Sequence, residues 1–197
     1  METESGSEFI SPLQLRHVMR YVNACKYLQP GWRVIDAACG TGYGTNIISQ
    51  RTGVYTLGID SDTNAIGYAQ EHYGKRNCVD FHIRDLLFPL VFGGFDFSVD
   101  AIVSVETIEH FAIEDIPQYL FNVKQILKAE GLFIVTSPYC MQSGPSPITK
   151  QHLHEFSLTD LERILVASGF LVREIHLQQH LGKAGRLGYC MAICGVA

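Results

Sequence analysis

The sequence predicts a single α/β domain over residues 1–197, doubly wound on a mostly parallel seven-stranded sheet with a C-terminal antiparallel hairpin. Three observations carry the prediction. Short β-branched runs alternate with longer segments of helical period, the pattern of strand–helix–strand units. The run VIDAACGTGYG, residues 34–44, closes an apolar strand with an acid, two small residues and glycine at every second position. At 47% hydrophobic over 197 residues, the chain can bury one sizeable core.

The elements follow in order. Residues 1–30 form an N-terminal segment, helical over 12–28 and placed over the ligand site. A strand at 33–36 (RVID) leads through the glycine loop into a helix at 42–52. TLGID (56–60) is the second strand, followed by a helix at 62–73. VDFHIRD (79–85) and DAIVSVE (100–106) are the third and fourth, and a helix covers 115–128. LFIVTSP (132–138) is the fifth, and a helix at 157–168 opens on Ser157 with Asp160 three residues on, a variant of the capping box. These five strands read apolar on both faces, as buried parallel strands do. FLVREIHL (170–177) and GYCMAICG (188–195) sit close together across QQHLGKAGRL, which predicts the terminal hairpin.

Composition excludes several classes. Net charge is −5 with no run of Lys or Arg longer than two, so nothing steers the chain broadly toward a nucleic-acid backbone. The longest apolar stretch, LLFPLVFGGF, falls far short of the ~20 residues of a membrane helix. A soluble, cytoplasmic protein is expected. Six cysteines without a CxxC pair argue against a zinc knuckle or a disulfide framework and for reduced, mostly buried thiols.

The opening run has a chemical meaning. A parallel strand ends at Asp36, and Ala38-Cys39-Gly40-Thr41-Gly42 must turn into a helix while letting a ligand approach the backbone. Glycine allows both, having no Cβ and free access to positive φ. The unpaired N–H groups of the helix start then face that ligand. Asp60 ends the second strand twenty residues after Gly40, where an acid accepts ribose hydroxyls. The pair implies a nucleoside-bearing cofactor. The dinucleotide fingerprint G-x-G-x-x-G/A fails at Thr45, which counts against NAD or FAD.

Over nearly its whole length the sequence resembles the class I S-adenosylmethionine-dependent methyltransferases. DAACGTG resembles their glycine motif, with Ala38 where glycine is commoner. GIDSD is similar to the ribose-binding acid, FHIRDLLF to the segment that reaches the adenine amino group, DAIVSVETIEHF to the fourth-strand motif, and LKAEGLFIVTSP to the LKPGG turn and fifth strand. The resemblance implies a Rossmann-like sheet of order 3-2-1-4-5-7-6 and S-adenosyl-L-methionine as cofactor. It implies cofactor contacts from Asp36, Ala38, Cys39, Gly40, Gly42, Asp60, Ser61, Asp85, Leu86 and Val105. Arg16, Arg20 and Tyr21 resemble an H-x-x-R-Y segment that precedes the glycine motif in such enzymes.

Methyl transfer is an in-line displacement at a sulfonium, so positioning carries much of the rate. A hydroxyl nucleophile must also lose its proton. The candidates cluster after the fourth strand (Glu106, Glu109, His110) and after the fifth (His152, His154, Glu155). The expected catalytic residues are His110, His154 and Glu106. The expected acceptor is a small-molecule or saccharide-like hydroxyl. Two alternatives stay open. The E-x-x-E-H pattern with a later histidine resembles the metal site of small-RNA 2′-O-methyltransferases acting on RNA 3′ ends, mapping onto Glu106, Glu109, His110 and His154. A non-catalytic S-adenosylmethionine-binding module is the other.

Overall fold

In the computed structural model, residues 12–76, 78–92, 98–178 and 188–197 are described, with side chains from residue 15 onward. Residues 1–11, much of LLFPLVFGGF beyond Phe92, and most of QQHLGKAGRL lie outside the described residues. The elements run α1 (Pro12–Ala24), β1 (Arg33–Ala37), α2 (Tyr43–Thr52), β2 (Tyr55–Asp60), α3 (Thr63–Tyr73), β3 (Val79–Ile83), β4 (Val99–Val105), α4 (Ile116–Ile126), β5 (Leu127–Pro138), α5 (Leu158–Ala167), β6 (Phe170–Gln178) and β7 (Tyr189–Val196). The sheet order is β3-β2-β1-β4-β5-β7-β6. β1 to β5 pair in parallel, and β7 inserts antiparallel between β5 and β6, as expected.

Successive strand residues supply opposite layers, because side chains alternate across a sheet. Ile35 and Ile102 join α4 and α5 through Tyr119, Val123 and Leu165. Their neighbours Val34, Ala101 and Val103 join Tyr21, Ala24 and Ile48 of α1 and α2 on the other face. This two-sided burial is why the central strands read as continuous apolar runs. β3 departs from the expectation: at the edge of the sheet Val79 and Phe81 are buried while Asp80 is exposed and His82 half-buried, and Ile83, on the buried face, is exposed at the strand end. β5 begins at Leu127 rather than 132, so the LKAEG turn belongs to the strand itself.

The capping variant at α5 is also different in detail. Ser157 Oγ accepts the Asp160 N–H at 3.2 Å, but the Ser157 N–H donates to Ser143 Oγ at 2.8 Å rather than to Asp160. The Asp160 carboxylate instead accepts the hydroxyls of Ser143 and Ser157. All six cysteines are free, with Cys39, Cys190 and Cys194 buried and Cys78 exposed. No helix among the described residues is long and apolar enough to cross a membrane.

β1 is flanked by β2 on one side and β4 on the other, so the winding reverses beside it. In register, Ala37 lies opposite both Ile59 and Ser104. The loops after β1, β2 and β4 therefore leave the sheet together at its carboxyl edge, where such sheets bind ligands.

Candidate functional site

The glycine loop is held by the strand beside it. Asp60 Oδ2 accepts the Gly40 N–H at 2.8 Å, and Oδ1 accepts the Asp62 N–H at 2.9 Å. Gly40 has φ +54, and a Cβ built there would meet nothing within 4 Å, so the loop presents bare backbone to open space. α2 starts after Gly42 without a side-chain cap, leaving its first amides to a ligand or solvent.

Two cavities open along this edge. The smaller, about 230 Å³, is walled by Asp60, Ser61, Asp85, Leu86, Thr107 and Phe111 together with Ala38, Glu106 and His110. The larger, about 550 Å³, is walled by Cys39, Gly40, Tyr43, Val105 and Pro138, by Arg16, Arg20 and Tyr21 of α1, and by Ile148, Thr149, Gln151 and His152. Ala38, Glu106 and His110 line both. Ala38 (φ 59) and Glu106 (φ 55) are also the two non-glycine residues with left-handed backbone among the described residues. Such conformations cost about 1–3 kcal/mol and gather at functional sites. Glu106 is held there by β5, its N–H donating to Thr136 O at 3.2 Å and Thr136 Oγ1 at 3.1 Å.

Most of the cofactor candidates thus meet on two adjoining walls. Asp36 and Gly42 do not line either cavity. Asp36 is fully buried beneath the loop, its Oδ2 accepting the Thr45 hydroxyl at 2.7 Å, and burial pushes its carboxyl up to about 7. It anchors α2 to β1. Gly42 (φ +83) is required by packing: a Cβ would lie 2.7 Å from Ala69 Cβ and from Phe81 Cε1. Asp85 is exposed and accepts the Leu87 N–H at 2.9 Å while still walling the smaller cavity.

α1 closes the larger cavity from above. Tyr21 packs over Gly44, where a Cβ would come within 2.1 Å of its ring, and its hydroxyl faces Asp36. Arg20 pairs with Glu106 at 3.3 Å and lies 4.4 Å over the Tyr189 ring. Its buried Nη1 has no hydrogen-bond acceptor among the described residues.

The catalytic candidates divide. His110 follows β4 in a 3-10 turn, Ile108–His110, and its Nδ1 lies 2.8 Å from the Gln151 carbonyl. Burial lowers its pKa, and His152 nearby lowers it further. His154 is not beside it. Its ring packs on Phe156 at 4.6 Å and lines a separate hollow against α5. The place expected for His154 is taken by His152, whose ring stands perpendicular to His110 with centroids 5.0 Å apart. The expected quartet Glu106, Glu109, His110 and His154 is therefore not assembled; the donors that converge are Glu109, His110 and His152. Glu106 faces Arg20 instead. The signal for His152 was its spacing: Glu155 lies three residues on, and its Oε1 is 2.9 Å from His152 Nδ1. Tyr43, Thr149 and Gln151 also line the larger cavity without any motif to announce them.

A doubly wound sheet with a glycine loop, an acid after β2 and paired cavities at its switch point defines a nucleoside-binding α/β protein. A family model described as "Methyltransferase domain" matches residues 34–131, about half of the chain. The chain is 26% identical over 141 residues to a "Probable S-adenosylmethionine-dependent methyltransferase" of Mycobacterium tuberculosis, covering 70% of this chain and 48% of that protein. It is 31% identical over 143 residues to phosphoethanolamine N-methyltransferase of Triticum aestivum, covering 71% of this chain and 26% of the wheat protein. In fold it matches phosphoethanolamine N-methyltransferase 2 of Haemonchus contortus in complex with S-adenosyl-L-methionine, with TM-score 0.75 and 16% identity, over 97% of this chain and 54% of that one. The chain belongs to the class I S-adenosylmethionine-dependent methyltransferases. It spans about half the length of the Mycobacterium relative and about a quarter of the wheat one.

The residues present suit the family's cofactor, S-adenosyl-L-methionine. The open space beside Gly40 leaves room for the ligand, Asp60 walls the smaller cavity beside it, and the orphaned Arg20 Nη1 offers a charge-assisted donor for a carboxylate.

Proposed function

We propose that this chain is one methyltransferase domain that transfers a methyl group from S-adenosyl-L-methionine to oxygen on a small-molecule or saccharide-like acceptor. The observation that carries the reading is the shared wall: Ala38, Glu106 and His110 line both cavities, so a ligand in one meets a ligand in the other there. In this reading the adenosine lies in the smaller cavity against Asp60, Asp85 and Leu86. The methionine arm passes over Ala38 and Gly40 toward Arg20, whose Nη1 takes its carboxylate. The acceptor fills the rest of the larger cavity, between α1 and the residues around Gln151.

The reaction then balances simply. The acceptor oxygen forms a bond to the methyl carbon while the carbon–sulfur bond breaks, and the sulfonium leaves as a neutral thioether. One proton leaves the acceptor hydroxyl. His110 is suited to receive it, because burial favours its neutral form and Nδ1–H is committed to the Gln151 carbonyl, leaving the Nε2 lone pair. Fixed near-attack geometry supplies the larger share, ~7–11 kcal/mol in well-oriented reactions.

The test is transfer of label from methyl-labelled S-adenosylmethionine into a panel of hydroxyl and amine acceptors, with products sorted by mass and chemical class. Label in a small hydroxylated product is the expected result. Label in amines moves the acceptor assignment to nitrogen, and binding without turnover on any acceptor replaces the enzyme with a cofactor-binding module.

A further inference from the structure

The turn after β4 and the loop after β5 meet at a cluster that methyl transfer alone does not require. We propose that Glu109, His110 and His152 bind one divalent first-row cation of the zinc or manganese kind. The proposal rests on the geometry of this cluster; it is independent of methyl transfer itself, but a cation on His110 Nε2 takes the lone pair that would otherwise receive the acceptor proton. One donor atom from each of the three residues lies within 4.8 Å of the others.

Glu109 is the first sign that a ligand belongs here. It is 0% exposed, and neither carboxylate oxygen has a hydrogen-bond partner among the described residues. Burying an ionised carboxylate without a partner costs several kcal/mol, a cost that either a proton or a bound cation removes. Arg20, whose charge reaches Glu109, makes its ion pair with Glu106 at 3.3 Å.

The two imidazoles are the second sign, independent of the first. His110 Nδ1 lies 2.8 Å from the Gln151 carbonyl oxygen, which can only accept, so Nδ1 carries the proton and Nε2 keeps its lone pair. His152 Nδ1 lies 2.9 Å from Glu155 Oε1, a buried carboxylate oxygen, which sets the same tautomer. A histidine that binds a metal through one nitrogen donates the other N–H to a carbonyl or a carboxylate, and this cluster has one of each.

The backbone holds the two segments in place. The Glu109 carbonyl accepts the N–H groups of Leu153 at 2.7 Å and His154 at 3.2 Å, clamping the loop so that His152 turns toward His110 while His154 turns away. Two imidazoles and one carboxylate favour zinc, iron or manganese over calcium and magnesium, which want oxygen donors throughout. Three protein ligands leave a position open. His110 and His152 both line the larger cavity, so that position can take an acceptor oxygen.

The test is binding rather than activity. The purified protein, stripped with chelator and dialysed, is titrated calorimetrically with Zn²⁺. One equivalent should bind. Glu109→Gln, His110→Ala and His152→Ala should each weaken binding at least tenfold, and Glu155→Gln by about 10–100-fold, the usual effect of losing an outer partner. His154→Ala, in the separate hollow, should leave it unchanged. No binding by the folded protein, or equal binding in all the variants, overturns the proposal. Should the variants unfold, Co²⁺ added to the unaltered protein decides. Visible bands of nitrogen–oxygen coordination support the site, whereas a sulfur charge-transfer band places the metal on cysteine and overturns it.

Discussion

The two halves of the site are built from different materials. The half after β1, β2 and β3 is mostly backbone: a glycine at 40 that faces open space, a helix start without a cap, and Asp60 bracing the loop from the neighbouring strand. The half after β4 and β5 is made of side chains: Glu106, Glu109, His110, His152 and Glu155, brought together by hydrogen bonds between segments some forty residues apart, such as His110 to Gln151. A site made of backbone tolerates few residue types and so leaves a local signature. A site made of side chains depends on which way a loop turns.

That contrast can be broken in the first half at its most buried member. Asp36 ionises at about 7 in the folded protein against 3.8 for an ordinary aspartate, because burial disfavours its charge. The folded state therefore holds the extra proton between those values, and stability contributed by Asp36 is present at low pH and lost as pH rises through about 7. Asp36→Asn keeps an acceptor for the Thr45 hydroxyl and removes the titration. Denaturant unfolding at pH 4 and pH 8 should show the variant gaining on the parent by up to about 4 kcal/mol across that interval. A constant difference would place Asp36 against water or ligand and return it to the cavity wall.

The glycines sharpen the contrast within a single loop. Gly42→Ala must adopt φ +83 and drive a Cβ into Ala69 and Phe81, so it should lose about 3 kcal/mol of stability. Gly40→Ala meets no neighbour and should lose only about 1 kcal/mol, from its φ of +54, while obstructing the ligand. Unfolding curves beside S-adenosylhomocysteine titrations separate the two. Equal stability losses would mean that the loop packs as one unit. Ala38 gives the smallest effect. It sits at φ 59 where glycine is unstrained, and Ala38→Gly should gain about 0.5 kcal/mol, the relief of the left-handed backbone less the added freedom of the unfolded chain. A loss instead would show that its methyl group packs against something that matters.

The same division explains what could be read from residues alone. The run of elements and the antiparallel end of the sheet were legible from periodicity and spacing, and the strand order from the family resemblance, whereas the bond from the Gly40 N–H to Asp60 was not foreseen. Asp36 and Gly42 lie in the expected loop but line neither cavity, because motif spacing does not tell a residue that faces open space from one that supports the backbone beside it. His152 and His154 are two residues apart, and the choice between them was made by the Leu153 and His154 amides on the Glu109 carbonyl. The alternation of β3 was present in the residues themselves, Val79-Asp80-Phe81-His82-Ile83, which the expectation of a strand apolar on both faces passed over.

The central claim, that the backbone-built half holds the nucleoside of S-adenosylmethionine, has a direct test in calorimetric titration of the purified chain. S-adenosylhomocysteine should bind more tightly than NAD, and Asp60→Ala should weaken it at least tenfold, about 1.4 kcal/mol, with the fold intact by circular dichroism. Tighter binding of NAD, or an unchanged dissociation constant in folded Asp60→Ala, would contradict the account.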